Sequence, residues 1–329
     1  MRDVVKHARG AGRPRKGGRR GRVLVALAAV TALLLLGHRW VPDAGGLGSL
    51  VETFLPWLGL VVPLLVAGAV LRRSAVVAVA AVVVVAVWVA VCVPLPVPGA
   101  PPAGPHDGDR LVVVQHNVSD TNADPDGTAA VLLAADPDVV ALVEVTPPLV
   151  AAFGDALGEA LPYRSSQGTV AVWSRHPLTE AEPVDLRPPG VAASWDRGLR
   201  VTVDTPGPGG ARLYAVHLPS VRLGTAGLGT TARDESIARL GAELSADAAP
   251  VLLVAGDLNT ALEDRALAPV TAEVTGRRQV FGFTFPAAAP VVRIDHVLAR
   301  GASVVSVAPL GRTASDHLPV VAEVALPPG

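Results

Sequence analysis

Val251-Leu252-Leu253-Val254-Ala255-Gly256-Asp257-Leu258-Asn259-Thr260 is a short apolar run that ends abruptly in polar residues. Such a run has the length of a buried strand and is short for a helix. A strand that stops at Asp257 and Asn259 brings a carboxylate and a carboxamide to the rim of a sheet, on rigid support. The same pattern recurs on both sides. Leu111–Gln115 runs into Gln115-His116-Asn117, Val139–Val143 into Glu144, and Arg212–Val216 into His217. Thr169–Trp173, Leu199–Val203, Ile294–Leu298 and Val320–Val324 are further strand candidates. Asp295 and His296 interrupt Arg293–Leu298, and Asp316-His317 stands just before the final run. Thr128–Ala135 and Ser236–Leu244 have helical spacing. Many short strands with few helices between them predict an α/β sandwich of two sheets.

This inventory of side chains suits metal-assisted phosphoryl chemistry. A hard cation such as Mg²⁺ takes one or two carboxylates, with water and substrate phosphate completing its shell. Glu144 and Asp316 are the candidate carboxylate ligands. Asp257 is placed to orient or deprotonate an attacking water, and Asn259 to hold that water or a phosphate oxygen. His217 and His317 suit the phosphoryl oxygens, where charge develops. Asp257 and His317 are expected at a solvent-facing rim. Taken singly, each residue has a plainer reading: Gly-Asp-x-Asn is good turn chemistry, Asp316-His317 can cap an element, and His296 packs locally. Six such clusters in order outweigh these readings. Zinc chemistry finds no support, since H-E-x-x-H and paired Cys/His spacings are missing.

The remainder of the chain has a different character. Residues 1–22 carry nine Lys and Arg against a single acid, Asp3. Three apolar segments follow, Val23–Leu36, Phe54–Leu71 and Ala75–Val93. A spanning helix needs about 20 apolar residues to cross a hydrocarbon core of about 30 Å. The third segment meets this and the second nearly does, while the first falls short without its Gly37–Trp40 flank and is alternatively a signal-peptide core. Basic residues set orientation. The leader and the turn at Arg72-Arg73 are placed in the cytoplasm, which puts everything after Pro94 outside the cell. Residues 94–109 form a Pro-rich, semi-rigid linker. The expected organisation is a basic leader over 1–22, a transmembrane region of about three helices over 23–93, the linker over 94–109 and a catalytic domain over 110–329. From His106 onward there are 26 Asp and Glu against 16 Arg and no Lys, a net charge of −10. An acidic domain is a poor non-specific ligand for nucleic acid. The one cysteine, Cys92, lies in the third apolar run, so the globular part has neither a disulfide framework nor a thiolate metal site.

Taken in order, Gln115-His116-Asn117, Ala141-Leu142-Val143-Glu144-Val145, Ala215-Val216-His217-Leu218, Gly256-Asp257-Leu258-Asn259, Arg293-Ile294-Asp295-His296 and Ser315-Asp316-His317-Leu318-Pro319 resemble the endonuclease/exonuclease/phosphatase superfamily. Gly168–Leu178 resembles that family's strand-and-turn segment. The resemblance covers Leu111 to about Val324. It implies a four-layer α/β sandwich with two central mixed sheets. It implies phosphate and metal binding at Asn117, a metal ligand at Glu144, and a phosphate ligand or proton donor at His217. Asp257 and Asn259 would position and activate water. Asp295 would orient a histidine or assist the metal, and Asp316 and His317 form the closing pair. Metal ligation is thus expected from Glu144, Asn117, Asp257 and Asp316, with Mg²⁺ as the ion and Mn²⁺ or Ca²⁺ as substitutes. Two departures stand out: His116 where an aromatic or small residue often precedes the asparagine, and Ser119 in place of an acid seen in abasic-site endonucleases. The expected activity is hydrolysis of a phosphoester by an extracellular, membrane-embedded enzyme. A nuclease is preferred; a phospholipid or sphingomyelin-type phosphodiesterase or an inositol phosphate phosphatase is the alternative. A catalytically silent tethered binding module is the rival of another class.

Overall fold

A computed structural model describes residues 18–93, 110–205, 210–224, 227–277, 279 and 281–328. The leader before residue 18 and the linker over 94–109 lie outside the described residues. The chain divides into two compact units, one comprising residues 1–37 and 57–91, the other 38–56 and 92–329.

In the first unit, three helices carry the apolar segments: α1 (Gly18–Gly37), α3 (Val61–Arg72) and α4 (Ala75–Cys92). Between α1 and α3 in sequence lies the short helix α2 (Leu47–Thr53), which belongs to the second unit. Three stretches are long and apolar enough to cross a membrane: Arg20–Trp40, Leu55–Arg72 and Ala75–Cys92. The first is longer than Val23–Leu36 because the helical backbone continues through its basic and Gly37–Trp40 flanks. Pro63 falls in the first turn of α3, where a missing N–H costs nothing. Helix α3 stops at Arg73, which adopts a left-handed conformation (φ 49°) and donates its N–H to the Val70 carbonyl at 3.1 Å. Most residues of these three stretches are not buried within the protein.

In the second unit, strand β1 (Arg110–Asn117) shows how the layers arise. Successive side chains point to opposite faces. Leu111 and Val113 enter one core, and Val114 enters another. Strand β1 lies in a six-stranded sheet ordered β12 (Ser303–Pro309), β13 (Val320–Ala325), β1, β2 (Val139–Val143), β4 (Val170–Ser174), β3 (Tyr163–Gln167). A second sheet of five strands runs β11 (Asp295–Arg300), β10 (Leu252–Asp257), β7 (Ala211–His217), β6 (Gly198–Val203), β5 (Leu178–Pro183). Both sheets are mixed: β1 pairs with β2, and β7 with β10, in parallel, while the other neighbours are antiparallel. A small ribbon of β8 (Arg222–Gly224) and β9 (Gly227–Gly229) stands apart.

The two sheets face each other across a core of Val, Leu and Ala side chains, among them Val113, Ala141, Val143, Val201, Ala215, Leu253 and Ala255. The outer face of the six-stranded sheet is covered by α5 (Pro125–Leu133) and α6 (Pro147–Leu157), through Leu132, Phe153 and Leu157 against Val140, Leu142 and Trp173. Phe153 meets Trp173 edge-on at 6.3 Å between centroids. Burying each such large side chain contributes about 1.5–3 kcal/mol. The outer face of the five-stranded sheet is covered by α7 (Thr231–Ala246) and α8 (Ala268–Thr271), through Ile237, Leu240, Leu244 and Val270 against Tyr214, Leu252 and Val254. The result is the expected sandwich, helices outside and two sheets within.

Helix α5 begins three residues before Thr128 because Asp124 caps it. The Asp124 carboxylate accepts from the Gly127 N–H at 3.0 Å, with Pro125 in the first turn.

Candidate active site

Alternation along the strands determines which side chains meet. In β1 the odd positions face the space between the sheets, so after Leu111 and Val113 come Gln115 and Asn117. In β7 and β10 the same parity brings His217 and Asp257 inward behind Ala215 and Ala255. The register completes the row: Asp257 lies opposite His217 on one side and opposite Asp295 on the other. Three functional groups thus stand side by side on adjacent strands of one sheet, facing Asn117 and Glu144 from the other. His116 and His296 fall on the opposite parity. His116 meets the Thr313 hydroxyl at 2.9 Å, and His296 meets the Thr260 carbonyl at 2.9 Å. Burial pushes both imidazoles down to about 3, so both are neutral packing groups.

Asn117 joins the sheets. Its Nδ2 donates to Glu144 Oε1 at 3.2 Å and to Asp257 Oδ2 at 3.1 Å, while its Oδ1 accepts from the Ser119 N–H at 3.1 Å. Glu144 follows β2 in a left-handed conformation (φ 60°), which breaks the strand's alternation. Asn259 is also left-handed (φ 50°) and donates its N–H to Asp257 Oδ1 at 2.9 Å. Asn259 Nδ2 donates to the Leu218 carbonyl at 2.9 Å, which fixes the turn after β10 against the end of β7.

The histidines are in opposite charge states. His217 is pushed down to about 3, by burial first and by the Arg197 charge second. Arg197 Nη1 lies 3.2 Å from His217 Nδ1, so Nδ1 accepts and the ring proton sits on Nε2. That Nε2 lies 3.6 Å from Glu144 Oε1 and 3.7 Å from Asp257 Oδ2. His317 is raised to about 9: burial opposes the charge, but Asp295, Asp257 and Asp316 outweigh it. Its Nδ1 donates to Asp295 Oδ2 at 2.9 Å, and its Nε2 lies 3.8 Å from Asp257 Oδ2. Asp295 is fully buried. Burial pushes its carboxyl up, yet the His317 charge and hydrogen bonds from His317, Thr284 and Gln115 hold it below the usual range. Asp257 is pushed up to about 7, by burial first and by the neighbouring Asp295 charge second.

Three features were not expected from the sequence. Asp257 and His317 are buried, at 1% and 5% exposure, and do not lie on an open rim. The strand ends project into the interlayer space, so these side chains are covered by both sheets. Asp316 is exposed while its neighbour His317 points inward, and the carboxylates that share a centre with His317 are Asp257 and Asp295. Arg197 and Ser315 also take part. Ser315 Oγ donates to the Asn117 carbonyl at 2.6 Å and accepts from the His317 N–H at 3.0 Å, tying the last loop to β1. A lone Arg or Ser in a loop carries no spacing signal; for Arg197 the only hint is its place just before a strand that pairs with the one bearing His217.

One ligand atom from each of Asp257, Asp295 and His317 lies within 4.8 Å of the others. This group could hold a metal ion. The Asp257 and Asp295 carboxylates suit a hard divalent cation: the Asp295 charge adds to burial in pushing Asp257 up, and a cation between them would relieve that repulsion.

A family model described as the Endonuclease/Exonuclease/phosphatase family matches residues 114–317. The chain belongs to that family. Members of the Endonuclease/Exonuclease/phosphatase family are hydrolases acting on phosphoester bonds. The fold agrees with solved structures. Sphingomyelinase C from Streptomyces griseocarneus is 20% identical with a TM-score of 0.51, covering 65% of this chain and 99% of its own. A D. rerio TDP2 complexed with single-strand DNA product is 19% identical with a TM-score of 0.52, covering 66% and 99%. An endonuclease/exonuclease/phosphatase from Bacteroides vulgatus is 15% identical with a TM-score of 0.52, covering 67% and 100%. No curated protein sequence matches the chain.

Proposed function

We propose that the chain is a divalent-metal-dependent phosphodiesterase, held at a membrane, that hydrolyses its substrate by direct attack of water. The observation that carries this reading is the row His217–Asp257–Asp295 facing Asn117 and Glu144, with a neutral and a charged imidazole on either side of one carboxylate. Asp257, whose carboxyl burial and the Asp295 charge push up, is placed to orient the attacking water and take its proton. Asn117 and Asn259 orient that carboxylate. His217 Nε2–H is a neutral donor for a phosphoryl oxygen. His317, charged and held by Asp295, offers its Nε2–H to the charge that spreads over the phosphoryl group as the P–O bond breaks. Glu144, Asn117 and Asp257 would hold the cation, with Asp295 and His317 adjoining. A bound Mg²⁺ or Mn²⁺ supplies neutralisation of phosphoryl charge.

Nucleic acid is the first substrate reading. A phospholipid or sphingomyelin-type substrate is the second, favoured by the net charge of −10 after residue 105 and by the three apolar helices, which would keep the unit near a bilayer. The basic leader and Arg72-Arg73 support a cytoplasmic N-terminus and an extracellular catalytic unit. The deciding experiment is hydrolysis by the full-length chain in detergent, with Mg²⁺, Mn²⁺ or Ca²⁺ and with chelator. Single-stranded DNA, RNA, sphingomyelin vesicles and inositol phosphates should be offered side by side. Metal-dependent cleavage of one class is expected; loss of none of them under any metal would overturn the reading.

A further inference from the structure

The segment between the first two apolar helices packs as part of the catalytic unit. Glu52, on α2, is fully buried and accepts from the Arg265 backbone N–H at 2.8 Å and from Arg265 Nε at 3.1 Å. The same guanidinium donates to the carbonyls of His38, Arg39 and Val41. A buried carboxylate met by so many donors, more than two hundred residues away in sequence, marks a specific docking.

One turn earlier on α2, Ser49 reaches further. It is buried, donates its hydroxyl to Asp264 Oδ2 and accepts from Arg233 Nη2 at 3.2 Å. Arg233 is 2% exposed, ion-pairs with Asp264 at 3.2 Å, and donates Nη1 to the Asn259 carbonyl at 3.4 Å. Asp264 Oδ2 also accepts from the Thr260 hydroxyl at 2.9 Å. Ser49, Arg233 and Asp264 therefore grip the left-handed turn that carries Asn259 and follows Asp257. Such a turn holds its conformation only while its surroundings over-determine it.

We propose that Ser49 is a positioning residue for the Asp257–Asn259 turn, acting through Arg233 and Asp264, so that the segment between the first two apolar helices sets turnover. The turnover part rests on the phosphodiesterase reading above; the positioning part does not. Without the Ser49 hydroxyl, Arg233 loses a partner and is drawn toward Asp264 and Asp234, away from the Asn259 carbonyl. The turn then samples other conformations, and the Asp257 carboxylate is misplaced.

The test uses the full-length chain in detergent micelles, as Ser49→Ala and Arg233→Lys. Amide hydrogen exchange is followed by mass spectrometry for peptides covering 257–261 and 38–56. Turnover of bis(4-nitrophenyl) phosphate with Mn²⁺ is measured in parallel. Both variants should speed exchange over 257–261 by about fivefold or more, as expected for local opening of a restrained loop. In both, kcat should fall by about five- to twentyfold with KM within about twofold, the signature of a misplaced catalytic group. In Arg233→Lys the peptide 38–56 should exchange as in the parent, because the Glu52–Arg265 contact is intact. Faster exchange confined to 38–56, or unchanged kcat in an active protein, would overturn the proposal. A parent chain that cleaves no phosphodiester sinks the phosphodiesterase reading instead, and the exchange at 257–261 still decides the positioning.

Discussion

His317 Nδ1 donates to the fully buried Asp295 Oδ2 at 2.9 Å, so the imidazole carries its charge while buried. The pair has a pH signature. His317 is raised from 6.5 to about 9, above its unfolded value. Its stabilisation is fully present below pH 6.5 and is lost as pH rises through about 9. In chelator, the melting temperature should therefore fall between pH 7 and 9.5. Asp295→Asn removes the partner and should flatten that slope; thermal melts of both proteins across this range provide the check.

Asp257 gives a pH slope of the same sign, in a lower window. Its carboxyl is raised from 3.8 to about 7, so its ionisation opposes folding, absent below pH 3.8 and complete above about pH 7. Asp257→Asn should melt higher than the parent at pH 8 in chelator, with the difference vanishing toward pH 4. Its kcat should nevertheless fall by about 10²-fold or more, the scale of a lost general base. A variant less stable than the parent but with normal turnover would reduce Asp257 to a turn residue.

His317→Ala should also lower kcat by about 10²-fold, but with a lower melting temperature, because it leaves Asp295 buried without its charged partner. In the double variant with Asp257→Asn, the losses should multiply to less than the product if both groups act on one transition state. Steady-state kinetics of the two single variants and the double variant settle this.

Glu144 is half-buried at the junction of the two sheets and meets Asn117 and His217. Glu144→Gln keeps the shape and removes an anionic ligand. The Mg²⁺ concentration for half-maximal activity should rise by about tenfold or more, with little change in folding. Parent-like activity of this variant at limiting Mg²⁺ would remove Glu144 from the ligand set.

A reporter fused after residue 329 probes orientation. With Arg72-Arg73 on the cytoplasmic side, a periplasm-type phosphatase reporter should be active and a cytoplasm-only fluorescent reporter dark. The reverse pattern would place the catalytic unit inside.

The central strands were legible because they are buried on both faces and read as unbroken Val- and Leu-rich runs, as in β2, β4 and β10. Three of the four edge strands, β3, β5 and β12, were not. In β3 (Tyr163–Gln167) and β5 (Leu178–Pro183), polar residues face solvent and no apolar alternation survives. Helix α6 was hidden behind Pro147 and Pro148, which read as breakers although proline is favoured in a first turn. The site was largely legible because strand parity ties each polar residue to the apolar run before it. Arg197, Ser315 and Ser49 have no such run, and their partners lie 20, 198 and 215 residues away in sequence. Only the folded chain brings them to the site or to the turn behind it.

The site draws its groups from both sheets, and those sheets meet through side chains that include Ala141, Ala215 and Ala255. Catalytic geometry is therefore a vernier on how the two halves of the sandwich slide past each other. A displacement of about 1 Å between them would barely alter buried area, yet is enough to cost on the order of a hundredfold in rate. Enlarging any of these alanines, which lie behind the site and bear no functional group, would detune the enzyme long before it unfolded it. Sequence drift in the middle of the sandwich is thus held in check by chemistry at its end.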